Sequence, residues 1–151
     1  MCQVLEALGD VASCQESGSE VGVVAVRVVR LGEPREAGEE LRIGTVRRPP
    51  RGVPKEEFAS RDFYDTWLPE LSPSQELVNV AHQARSDSDW RAFFAHYRKE
   101  MSTPEARHLL DLVVAVSRAT EVAVGCYCED ETHCHRRELR RLLEEHGAEV
   151  R

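Results

Sequence analysis

The chain has 151 residues, 41% of them apolar and 31% charged, which suits one globular domain with a core of its own; aromatics at 6% leave that core to Val, Leu and Ala. A formal charge of -7 excludes a general nucleic-acid coat and an anionic-membrane binder. No apolar run approaches the roughly 20 residues that span a bilayer, and the first ten residues, with Glu6 and Asp10 and no basic start, do not read as a secretory signal, so a cytoplasmic protein is expected.

Residues 1–20 read as a tail or a loosely docked helix: Val4, Leu5, Leu8, Val11 and Ala12 share a helical face before the hinge Ser17, Gly18, Ser19. The domain proper is expected from residue 21. The β-branched run 21–29 predicts a strand, 31–40 a loop with Gly32, Pro34 and Gly38, and 41–46 a second strand. Residues 47–55, with Pro49, Pro50, Gly52 and Pro54, can only be a loop, and 63–71 is a short strand or an ordered loop. Ser72 as N-cap, Pro73 at the first helical position and Gln75 predict a helix to about residue 85. Asp87 caps the next, with Trp90, Phe93, Phe94 and Tyr97 at helical spacing to about residue 101. Thr103 and Pro104 open a third, its buried side read as Leu109, Leu110, Leu112, Val113 and Val116. Residues 121–127 form the clearest late strand, Thr132 caps a last helix to His146 with Gly147 as its stop, and 148–151 add a short strand. Strands alternating with helices predict an α/β fold: one small domain, a mainly parallel sheet flanked by helices, and an N-terminal tail.

Five cysteines include Cys126, Cys128 and Cys134 within nine positions, in the run Gly-Cys-Tyr-Cys-Glu-Asp-Glu-Thr-His-Cys-His-Arg ending at Arg136. That run lies where a strand passes into a helix, the usual ligand crevice of an open α/β sheet. Three readings stay open. Cys128, Cys134 and His133 or His135, with Cys126 as a fourth ligand, carry the atoms that bind zinc or iron, although the spacing matches no common knuckle. A thiolate at Cys128 or Cys134, lowered in pKa by the helix end, Arg136 and the imidazoles, is a nucleophile. Or the cysteines and His135 are buried structure beside Leu139, Leu142 and Leu143.

A second feature is the basic loop Arg47, Arg48, Arg51 and Lys55, with Arg42 nearby, in an otherwise acidic chain. It suits a carboxylate or phosphate partner, unless Glu56 and Glu57 neutralise it. In a parallel sheet this loop and the cysteine run, each following a strand, open onto one edge. Trp90, Phe93, Phe94 and Tyr97 read as core packing, and His82, His96 and His108 receive no role.

The run Val46 to Gly52, then Tyr64 with Trp67-Leu68-Pro69-Glu70-Leu71, then Cys128, Cys134-His135-Arg136 and Leu139, resembles in its order the domain-of-unknown-function family 488. Residues 67–74 and 90–101 look closest to its YeaO-like branch. The resemblance covers about residues 21–150 and implies a small cytosolic α/β domain with a pocket but no known activity. Position by position, Arg47, Arg51, Cys128, Cys134, His135 and Arg136 match the residues characteristic of the family. Thr45 departs from it, because the family usually has Asp before Val-Arg; either the activity differs, or Thr45 replaces only a hydrogen bond.

Two functions are therefore expected. In the first, Arg47, Arg51 and Arg136 with the last helix N-terminus hold a small anionic, nucleotide-like ligand, Cys128 or Cys134 is the nucleophile or redox thiol, and His135 is base or orienter. The alternative is a non-enzymatic zinc- or iron-binding module that docks a protein, or less readily a nucleic acid, through the 47–55 loop.

Overall fold

The computed structural model describes residues 24–151, so the expected tail lies outside the described residues. Four strands, β1 (Val26–Arg30), β2 (Leu41–Gly44), β3 (Thr66–Trp67) and β4 (Val122–Cys126), pair in the order β1-β4-β2-β3. Every pairing is parallel, with Val124 opposite Val28 on one side and Ile43 on the other. All five residues of β4 are buried, as a central strand of a sheet covered on both faces requires. The expected short strand at the C-terminus is a parallel bridge of Val150 to Val26. No described helix is long and apolar enough to cross a membrane.

Helices α1 (Gln75–Gln83), α2 (Asp87–Glu100) and α3 (Pro104–Ser117) lie in the chain between β3 and β4, and α4 (Arg136–Glu145) follows β4. Their apolar sides meet the sheet in one core that includes Phe93, Tyr97, Leu110, Val113, Val124 and Leu139.

Local details depart from expectation for identifiable reasons. The cap of α1 is Ser74, whose hydroxyl accepts from Leu77 N at 3.2 Å. Ser72 instead ends the 3-10 turn Pro69–Leu71 and is held extended by the following proline. For α2 the cap is Ser86, in a capping box with Asp89. Thr103 caps α3 as its sequence indicates. In α3 the buried row is Ala106, Leu110, Val113, Val114 and Ser117. Leu112, 55% exposed, falls on the opposite side of that i, i+3, i+4 row.

Gly44 and Gly125 stand opposite each other at the ends of β2 and β4. A Cβ on Gly125 would meet Leu31 Cδ2 at 2.6 Å and Val29 O at 2.9 Å, and one on Gly44 would enter the Tyr64 ring. These two bare positions let Leu31 and Tyr64 pack over the sheet end beside Cys126 and Cys134.

Candidate functional site

Since β2 and β4 are parallel neighbours, the chain leaves both at the same edge of the sheet. The basic loop and the cysteine run therefore meet, and two side chains tie them together. Tyr127 Oη donates to Arg48 O at 3.0 Å, and Thr45 Oγ1 lies 3.3 Å from His135 Nε2. With α1 and the first two turns of α2 they border an open cavity of about 730 Å³. Arg47, Arg48 and Arg51 line it on one side, Cys126, Cys128, Cys134 and His135 on another.

The sulfurs form a compact group. Cys126 and Cys134 are buried and Cys128 is exposed, with the Cys126 and Cys128 sulfurs 3.7 Å apart. His135 Nδ1 is 3.7 Å from Cys134 Sγ; the residue is 5% exposed, and its ring meets Tyr97 edge-on at a centroid distance of 5.4 Å. The Thr45 hydroxyl has one proton, which it donates to Gly125 O at 2.9 Å. With that proton committed, the hydroxyl is placed to accept from His135 Nε2–H, and in the neutral ring this assignment turns the Nδ1 lone pair toward Cys134. Thr45, at the position where the family resemblance leads one to expect an Asp, is fully buried and offers His135 a hydrogen-bonding oxygen without a charge.

Cys134 is not in the first turn of the last helix, and Thr132 does not cap that helix. Asp130 caps a separate 3-10 turn, Glu131–His133, by accepting from Thr132 N at 2.9 Å. Cys134 follows in an extended conformation, His135 is the N-cap of α4, and the helix begins at Arg136. The Cys134 thiol is shifted down chiefly by a hydrogen bond from Cys126, against an opposing contribution from Cys128 and burial. Cys126 is the donor of the group, pushed far up by its bonds to Cys128 and Cys134 and by burial. Cys128 is correspondingly lowered to about 3, through Cys126 first, then Cys134, with the Arg136 charge adding to them against burial.

The cations divide into two kinds. Arg42 is not part of the basic cluster: its side chain is 1% exposed and paired with Glu39, itself fully buried. Arg136, expected to hold an anion, is buried at 3% exposure, lies outside the cavity lining, and donates from Nη2 to Cys128 O at 2.7 Å. It positions the Cys128 loop. Arg47 donates to Pro73 O at 3.0 Å and Ser72 O at 3.3 Å, and Arg48 reaches Gln75 Oε1 at 3.1 Å. Arg51 is exposed in the cavity mouth. Among the described residues none of these three, nor Lys55, is paired with a carboxylate, and Glu57 pairs with Arg61 instead. By contrast Arg27, Arg30, Arg35 and Arg98 all carry acidic partners.

Phe93, Phe94 and Tyr97 are core residues, as their spacing predicts. Trp90 differs. It is half-buried, lines the cavity, and stacks on His133 with centroids 4.9 Å apart and planes 28° apart. Sequence reading missed this wall, together with Tyr127 and the tautomer-setting role of Thr45. Trp90 sits one turn into α2, so its periodicity assigns it to the apolar side but says nothing of the cavity over that end.

A family model described as the active DUF488-N3 subclade matches residues 26–147. No curated protein and no solved structure matches the chain. The family match names the N3 subclade and does not bear on the YeaO-like branch. Spanning β1 through α4 and both halves of the cavity, it shows that this chain belongs to the DUF488 family, in its active N3 subclade.

Proposed function

We propose that the cavity binds a small anionic ligand with a planar ring, of the nucleotide kind, and presents it to the Cys128 thiol. The observation that carries this reading is the convergence of carboxylate-free cations and thiols on one open cleft of about 730 Å³. That is a size in the usual range of ligand pockets. Arg48, Arg51 and Arg47 are the anion-holding groups, and guanidinium forks favour phosphate or carboxylate over a neutral ligand. Trp90 and Tyr127 offer ring faces and edges to a flat group. Cys128, the exposed thiol of the three, is the sulfur such a ligand meets, while Cys134 and His135 lie beneath it. A largely apolar hollow of ligand size favours a small molecule over the alternative of a macromolecule docked on the 47–55 loop.

A thermal-shift series tests this, with nucleoside mono- and diphosphates, their nucleosides and inorganic phosphate as probes. Phosphorylated nucleosides raise the melting temperature, nucleosides alone do so weakly, and Arg51→Ala with Arg48→Ala abolishes the shift. No shift across the series, or an equal shift in the double variant, refutes the reading.

A further inference from the structure

Beneath the cavity the side chains also satisfy a different requirement. The ligand atoms of Cys126, Cys134 and His135 all lie within 4.8 Å of one another, and all three residues are buried. Around a tetrahedral zinc ion with sulfur ligands at about 2.3 Å, neighbouring donor atoms are about 3.8 Å apart. The Cys126–Cys128 sulfur separation and the Cys134 Sγ to His135 Nδ1 separation are both 3.7 Å, close to that edge.

The surroundings fit as well. A metal-bound histidine needs its other ring nitrogen held by an outer partner, which fixes the tautomer. Thr45 does this at Nε2 and leaves Nδ1 as the bare donor toward the sulfurs. Cys126 ends the rigid central strand and His135 caps α4, so two fixed elements aim the donors. No carboxylate belongs to the group, and two thiols with an imidazole select zinc-type ions over magnesium or calcium.

We propose that Cys126, Cys134 and His135 bind one tetrahedral divalent ion of the zinc type, with its fourth position toward Cys128 and the cavity. Cys128 closes the shell when the cavity is empty. A ligand anion entering past Arg51 can take that position, the open arrangement of catalytic rather than structural zinc. The site goes beyond the ligand-binding reading and stands without it.

The test uses the full chain, reduced and stripped of metal, titrated with cobalt(II) and separately with zinc followed by elemental analysis. One equivalent binds, and cobalt gives a thiolate charge-transfer band with the intense visible absorption of tetrahedral geometry. Cys134→Ser loses the band; Cys128→Ser keeps one equivalent with a weakened band. Thr45→Val, which removes only the outer hydrogen bond, weakens zinc roughly 10- to 100-fold, and Thr45→Ser restores it. If Cys134→Ser does not fold, the wild-type spectrum and the Thr45 pair still decide. Folded, reduced wild-type protein that takes up no stoichiometric metal overturns the site, as does a cobalt spectrum without sulfur ligation. Failure of the nucleotide shifts leaves metal uptake unchanged, so the two readings fail separately.

Discussion

Replacing Glu39 with Ala isolates one charge deep in the structure. The Arg42 guanidinium bonds Glu39 through Nε at 2.5 Å and Nη2 at 2.9 Å, and its Nη1 donates to Glu33 O and Asp62 O at 2.7 Å each. With both side chains at 1% exposure or less, water cannot replace the lost carboxylate. Breaking a buried pair on one side leaves an uncompensated charge and costs about 3–5 kcal/mol. That is a large share of the roughly 5–15 kcal/mol a domain of this kind has. The double change Arg42→Met with Glu39→Ala removes the stranded charge but takes the Arg42 donor from the Glu33 and Asp62 carbonyls, of which Asp62 O keeps the Gly32 N–H at 2.9 Å. It therefore recovers only part of the loss. Urea unfolding followed by Trp67 and Trp90 fluorescence reads this directly, with an unchanged slope showing that the native and unfolded states are otherwise the same. A loss below about 1 kcal/mol for Glu39→Ala would refute the argument that this pair is sealed from solvent. The outcome bears on the site because Asp62 precedes Phe63, which lines the cavity.

Gly125→Ala forces a methyl against Leu31 and the Val29 carbonyl, at 2.6 Å and 2.9 Å, and is expected to cost about 1–3 kcal/mol in thermal or urea unfolding; an unchanged stability would show that the strand end yields freely. Burial alone would raise the Asp65 carboxyl, but the Arg35 guanidinium and the Arg42 N–H outweigh it and hold it below the ordinary value. Its contribution is therefore complete above the unfolded pKa of about 4 and is lost as pH falls through the lower folded value. Asp65→Asn should flatten the acid limb of the stability profile, and an identical acid limb would exclude that role. In the reduced, metal-free chain, iodoacetamide with peptide mapping should label Cys128 well before Cys126 or Cys134, since it alone of these three is exposed. Equal labelling of the three would contradict the packing of Leu31, Val46 and Tyr64 over the two buried sulfurs.

Much of this protein is readable along the chain, because the interactions involved are local. The β-branched runs, the Thr103–Pro104 helix start, the α2 aromatic row and the Gly147 stop each depend on neighbours within a few residues, and the structure has them. Parallel strands with intervening helices follow from the alternation, and with them the meeting of the 47–55 loop and the cysteine run at one edge. Local competition between adjacent signals already blurs this reading. Ser72 and Ser74 both suit a cap, and only the 3-10 turn at 69–71 decides between them.

What tertiary structure alone decided is which of several chemically equivalent side chains face the cavity. Arg42, Arg47, Arg51 and Arg136 look alike in sequence, yet burial against Glu39 neutralises the first and a backbone carbonyl occupies the last. Likewise Cys126, Cys128 and Cys134 differ only once β4 and the entry to α4 are folded against Tyr64 and Leu31, which buries two thiols in the cavity wall and leaves the third exposed. Residues far apart in the chain set these outcomes, as Thr45 sets the tautomer of His135 ninety positions later. Burial, charge partners and proton placement are properties of the packed neighbourhood, and no spacing along the chain encodes them.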